Sequence, residues 1–116
     1  MKKLYVIAGL AILSMVLTYC SASKKAAKTP PKTTYTSAVA GVLGEKCAPC
    51  HIPSKGGNKK PYDNYANVKN DIDEIIKRIE LNPTDRGFMP FKKPQQLAAD
   101  TIAIFKKFKD DGMLEN

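Results

Sequence analysis

Hydrophobic residues fall along this chain in blocks of different texture. Leu4 to Leu17 (LYVIAGLAILSMVL) is an almost unbroken apolar run. Ser21 to Thr34 (SASKKAAKTPPKTT) has no aromatic and no branched apolar residue, so it has nothing with which to build a core. From Tyr35 onward apolar positions recur at helical rather than alternating spacing. Ser37 to Lys46 carries Val39, Val42 and Leu43. Tyr62 to Leu81 carries Tyr65, Val68, Ile72, Ile75, Ile76 and Ile79, with Asn64 or Asn70 as a cap, Asn82-Pro83 as the stop, and a potential break near Lys69 to Asp71. A third helix is expected from Pro94, with Leu97, Thr101, Ile104, Phe105 and Phe108 on one stripe and Gly112 as terminator. No stretch alternates apolar and polar residues for long, so the expected class is all-α.

Two features complicate that pattern. Gly41 and Gly44 each weaken the first helix by about 1 kcal/mol relative to alanine, which calls for a close packing partner. Between the second and third helices, Asn82 to Lys93 (NPTDRGFMPFKK) is rich in turn formers yet holds Phe88, Met89 and Phe91. Loops rarely present three large apolar residues to water, so this one is expected to fold inward over something.

The front of the chain reads as a targeting segment. Met1-Lys2-Lys3 precedes an apolar run of signal-peptide length, too short for a span of about 20 apolar residues. Leu17-Thr18-Tyr19-Cys20-Ser21 resembles the lipobox of bacterial lipoproteins, although Tyr19 stands where a small residue is usual. The expected organisation is a signal peptide over 1–20 with lipidation at Cys20, a flexible tether over 21–34, and a folded domain over 35–116. Such a tether spans on the order of 20 Å as a coil. It would hold an exported domain, periplasmic or in the cell envelope, near a membrane through the lipid. The formal net charge is +8, and Lys2 and Lys3 would leave with the leader. That balance suits anionic headgroups or an acidic protein face. Nucleic acid is excluded as a partner, because the lysines are dispersed without aromatic interleaving or a binding motif.

Two of the three cysteines and the only histidine lie within Cys47-Ala48-Pro49-Cys50-His51. This is C-x-x-C-H, the attachment motif of c-type haem. Its spacing lets each thiol add to one porphyrin vinyl group, and the next side chain then lies under the iron. A structural zinc site needs four protein ligands, and the domain has no further cysteine or histidine. A thioredoxin-like pair expects a βαβ pattern, which is missing. A plain disulfide explains neither the histidine nor the leader. For a second axial ligand the candidates are Met89, Met113, a lysine or nothing. Met89 is the expected one, because Pro90 restricts its backbone and Gly87 permits close approach.

From about Tyr35 to Met113 the chain resembles a small monohaem class I cytochrome c, in the order helix, C-A-P-C-H, middle helical region, Gly87-Phe88-Met89-Pro90 loop and C-terminal helix. The resemblance implies a cytochrome c-like fold of three to five helices around one covalently bound haem c. Cys47 and Cys50 would carry the thioethers, His51 would be the proximal ligand and Met89 the distal one. The first and last helices would cross, with Val39, Val42 or Leu43 meeting Phe105 or Phe108. Many relatives have a tryptophan in the last helix, where this chain offers Phe108. A carbonyl steadying the imidazole would come from Pro61 or Pro53, and Arg86, Tyr62 and Tyr65 are candidate contacts for the propionates.

His/Met ligation fills both axial positions and favours ferrous iron, which suits electron transfer rather than bond chemistry. The expected function is a monomeric single-electron carrier, not an enzyme. Its partners would be acidic oxidases, reductases or peroxidases, met by Lys46, Lys55, Lys59, Lys60, Lys92 and Lys93. The alternative is a haem-based gas or redox sensor, or a binding module, with an open or displaceable distal position. A peroxidase-like enzyme would need an open iron face and a distal acid-base group, and no second histidine exists.

Overall fold

Thr34 opens the first helix. In the computed structural model, which describes residues 29–116, the Thr34 hydroxyl accepts from the Ser37 N–H at 3.1 Å and Ser37 Oγ accepts from the Thr34 N–H at 3.1 Å. This reciprocal cap starts the helix at Tyr35, ahead of the expected Ser37. The signal peptide over 1–20, Cys20 and the first part of the tether lie outside the described residues.

The helix begins as a π-helical stretch, Tyr35–Val39, and continues as α-helix Ala40–Lys46; together these are α1. After a short 3-10 turn at Pro53–Lys55 come α2, Tyr65–Glu80, and α3, Ala99–Asp110. Among the described residues there is no strand, and the fold is all-α.

Asn64 caps α2 by accepting from the Asn67 N–H at 3.2 Å. The helix runs through Lys69 to Asp71 without a break, because its buried stripe of Val68, Ile72, Ile75 and Ile79 is continuous across that segment. Its last carbonyls are satisfied from a distance. Gln96 Nε2 donates to the Glu80 and Leu81 carbonyls at 2.8 and 3.0 Å. That capture explains why α3 starts at Ala99 instead of Pro94: the segment before it serves as a cap for its neighbour. The buried stripe of α3 is Ile102, Phe105 and Phe108, whereas Thr101 and Ile104 are only half-buried.

At its far end α3 closes in a Schellman motif. Gly112, at φ +96°, donates to the Lys109 carbonyl, and Met113 donates to Phe108 at 2.9 Å. The chain then returns to the start of α1, where the Leu114 and Glu115 carbonyls accept from the Tyr35 and Thr36 N–H groups at 2.9 and 3.0 Å. These first-turn donors have no partner within their own helix. Asp111, its carboxyl held low by the Lys107 ammonium and then by the Thr33 N–H, secures the same end.

The opening of α1 and α2 both pack on α3. Val39, Leu43, Phe105 and Phe108 are fully excluded from solvent in one cluster. Gly41 and Gly44 take no part in that contact. A Cβ built on either would meet nothing within 4 Å, so the close partner expected for them is absent. Gly41→Ala and Gly44→Ala should therefore each stabilise the domain by about 0.5–1 kcal/mol. Thermal unfolding followed by circular dichroism checks this, with both midpoints rising by a few degrees. Among the described residues no helix is long and apolar enough to cross a membrane.

Candidate functional site

α1 ends at Lys46 and is capped by Cys47, whose N–H still donates to the Leu43 carbonyl at 3.0 Å. The next turn is wound by His51 N–H to Cys47 O at 3.1 Å and Ile52 N–H to Pro49 O at 2.9 Å. The loop that follows folds back on this turn. Gly57 donates to Ile52, Lys59 to Cys50 and Tyr62 to His51, at 3.1, 3.0 and 2.9 Å. The C-x-x-C-H segment is thereby strapped from both sides by backbone hydrogen bonds.

His51 Nδ1 lies 2.8 Å from the Lys60 carbonyl oxygen. A carbonyl only accepts, so Nδ1 carries a proton and donates to it, and Nε2 is the ring nitrogen left to bind another group. The carbonyl belongs to the residue before Pro61, not to Pro61 or Pro53 as the resemblance implied. Pro61 O instead accepts from Asn67 Nδ2 at 3.0 Å. The Tyr62 ring stacks on the imidazole at 4.6 Å between centroids and 9° between planes. Its hydroxyl donates to Asp71 at 3.2 Å, and Lys60 Nζ reaches the same carboxylate at 2.7 Å. Burial first, and then the Asp71 charge, push the Tyr62 phenol up to about 12, so it stays a neutral donor. Asp71 is held below the usual carboxylate range, chiefly by its hydrogen bond from Lys60.

The two thiols differ. Cys50 is exposed, whereas Cys47 is half-buried and burial pushes its thiol up to about 11. At neutral pH Cys47 is a protonated thiol rather than a thiolate. Among the described residues, no three His, Cys, Asp or Glu side chains are grouped to hold a metal ion. Cys47, Cys50 and His51 are thus not arranged as a bare-metal site.

Met89 reaches the same region through Arg78. The Arg78 carbonyl accepts from the Met89 N–H at 3.1 Å, and its guanidinium lies against Gly87 O at 3.5 Å while binding Glu74 at 2.6 Å. Gly87 takes φ +98°, a conformation that favours glycine. Phe88 is buried and Met89 half-buried, but Phe91 is 67% exposed, against the expectation that all three turn inward.

Cys47, Cys50, His51 and Met89 line one cleft of about 690 Å³. Its floor is made by Leu43, Ile75 and Ile79, so it opens directly into the hydrophobic core. That volume falls within the range of about 300–1,000 Å³ for cofactor and ligand sites. Tyr62 lines the cleft as well, but Tyr65 donates to the Met113 carbonyl at 2.8 Å and Arg86 faces a neighbouring recess. Met113 does not line the cleft.

Of the lysines expected at the edge, Lys46, Lys59 and Lys93 line the cleft. Lys46 also pairs with Glu45. Lys60 is turned to Asp71 and Lys55 to the Gly44 carbonyl, while Lys92 sits over the Phe91 ring. An apolar floor, two free thiols, an imidazole, a thioether and cations along one cleft fit a haem. Sequence reasoning missed the Lys60 carbonyl, Asp71 and Arg78. A signal existed for Arg78: it and Arg86 are the only arginines in a lysine-rich chain, and arginine suits a partly buried position with several acceptors.

No family model matches the chain, and searches of curated proteins and of solved structures return no match.

Proposed function

We propose that this chain is a monomeric, exported single-electron carrier with one covalently attached haem c in a cytochrome c-like fold. The observation that carries the reading is the convergence of Cys47, Cys50, His51 and Met89 on one cleft, with His51 Nδ1 engaged by the Lys60 carbonyl. The Cys47 and Cys50 thiols would each add their S–H across a vinyl group, leaving two thioethers. His51 and Met89 would be the protein ligands to the iron. The bound group would supply reversible one-electron chemistry at iron.

The protein's own residues do the rest. Leu43, Ile75 and Ile79 exclude water from the cleft floor. Lys60 O holds the Nδ1 proton and so strengthens Nε2 as a donor. Arg78 holds the Met89 backbone in register with α2. Lys59 and Lys93, which make no ion pair among the described residues, would draw an acidic oxidase, reductase or peroxidase to the open side. A lipid at Cys20 would keep the domain in the periplasm or cell envelope, beside a membrane. No acid-base group is proposed, and the protein is read as a carrier and not an enzyme.

The test is to produce the chain in a host that matures c-type haem and to record its mass and its ferric and ferrous spectra beside those of Met89→Ala. The expected result is the added mass of one haem and a near-infrared sulfur-to-iron band that Met89→Ala abolishes. A high-spin wild type whose ferrous form binds carbon monoxide quickly would move the reading to a sensor with an open distal position. A chain without the added mass would remove both.

A further inference from the structure

We propose that Lys60, Asp71 and Tyr62 form a closed loop of contacts that fixes the plane and the tautomer of the His51 imidazole, with Tyr62 and Asp71 as positioning residues that never touch the ligand nitrogen. The consequence for electron transfer rests on the haem reading above; the loop itself does not.

The contacts close on themselves. His51 Nδ1 donates to Lys60 O at 2.8 Å. Lys60 Nζ reaches both carboxylate oxygens of Asp71 at 2.7 Å, and Tyr62 OH donates to one of them, Oδ2, at 3.2 Å. The Tyr62 ring then returns to the imidazole as a near-parallel stack, 9° between planes. Each contact removes a different freedom. The Nδ1 hydrogen bond selects the tautomer but leaves the ring able to rock about that bond. The stacked phenol opposes the rocking and shields one face of the Nδ1–H from water.

Tyr62 is itself over-determined. Its N–H donates to His51 O at 2.9 Å and its carbonyl accepts from Tyr35 OH at 3.1 Å, which pins its backbone, while the hydroxyl bond to Asp71 holds the far end of its ring. Asp71 sits in the middle of α2, and its side chain is only 22% exposed. Lys60 lies on the exposed loop before α2. Asp71 thus transfers the rigidity of a packed helix to a loop carbonyl and a phenol, and through them to the imidazole. A hydrogen-bonded partner behind a metal-binding histidine both orients the ring and raises its basicity. Here that partner is a backbone carbonyl, anchored by the Lys59 and Tyr62 backbone bonds on either side and steadied further by the carboxylate that holds the side chain of the same residue.

The experiment uses the full chain, labelled with ¹⁵N-histidine and produced in the haem-maturing host, and reads exchange of the His51 Nδ1–H with solvent in the reduced state. Asp71→Ala should speed this exchange at least tenfold, and Tyr62→Phe, which keeps the stack but loses the hydroxyl, about threefold. Asp71→Asn retains an acceptor oxygen and should return to within threefold of wild type. The ferric haem-methyl shifts should rearrange in Asp71→Ala and remain near wild type in Asp71→Asn.

Exchange within twofold of wild type in both Asp71→Ala and Tyr62→Phe would overturn the proposal, even if both variants melt earlier, since lost stability alone does not expose the Nδ1–H in the folded state. If Asp71→Ala fails to accumulate, the near-isosteric Tyr62→Phe carries the same decision. A wild-type mass without porphyrin removes the haem reading, and the exchange comparison on that chain still judges the loop by the same thresholds.

Discussion

Gly57→Ala is expected to destroy the folded domain, while the same change at the adjacent Gly56 leaves it standing. A Cβ on Gly57 would overlap the Pro49 carbonyl oxygen and come within 2.7 Å of Cys50 O and 2.8 Å of Ile52 O. All three obstacles are backbone, and none can swing away as a side chain would. Relief requires the loop to separate from the C-x-x-C-H turn. That separation breaks the bonds from Gly57 to Ile52, from Lys59 to Cys50 and from Tyr62 to His51. Each is worth about 1 kcal/mol, and with the residual strain the loss is about 3–5 kcal/mol, in the range reserved for breaking a buried network. Gly56 differs in kind. It takes φ +84° with open space around its Cβ direction, so alanine there costs about 1–2 kcal/mol of backbone strain and nothing more. Urea unfolding of the two variants beside wild type separates the cases. A Gly57→Ala midpoint equal to wild type would show that the loop does not grip the motif through its carbonyls.

That pair also marks where sequence reading stopped. The stretch Lys55-Gly56-Gly57 announces a turn, but nothing local says which glycine lies against the carbonyl oxygens of Pro49, Cys50 and Ile52. Helical spacing was legible wherever burial follows a stripe. Of the face expected from Tyr65, Val68, Ile72, Ile75, Ile76 and Ile79, Val68, Ile72, Ile75 and Ile79 are buried and Tyr65 and Ile76 half-buried, and Gly112, the expected terminator, takes a positive φ. The start of α3 was not legible, because Pro94 has the right local preference while Gln96 is claimed by the end of α2, across the fold. The site divides the same way. Cys47, Cys50, His51 and Met89 follow from motif and spacing, and they line one cleft. The groups that orient them do not follow, since the Lys60 carbonyl is a backbone atom without a side-chain signature and Asp71 reads as one of many helix-surface charges. Phe91 shows the limit of composition. It was grouped with Phe88 as an apolar loop residue, yet lies 67% exposed while Phe88 is buried.

Phe105→Ala should bring the domain close to unfolding at room temperature, whereas Phe91→Ala should change its stability by less than about 0.5 kcal/mol. Phe105 has no exposed surface and packs in the cluster that joins α1 to α3 through Val39, Leu43 and Phe108. Truncation there removes the transfer free energy of the ring and leaves a cavity that rigid neighbours only partly fill, a loss of about 3–5 kcal/mol. A core this small supplies on its own only about 3–5 kcal/mol of net stability. The two magnitudes are equal, so one side chain decides whether the polypeptide core folds unaided. Phe105 does not line the cleft, and the variant leaves Cys47, Cys50, His51 and Met89 as they are. Its urea midpoint should fall to near zero in chain without haem. A haem tied to Cys47 and Cys50 and seated on Leu43, Ile75 and Ile79 would restore buried apolar area beside the weakened cluster, so the haem-loaded variant should still melt cooperatively. Equal midpoints for the loaded and unloaded variant would mean that the cleft contributes nothing to the interior, and would count against the cofactor as well as against the packing argument.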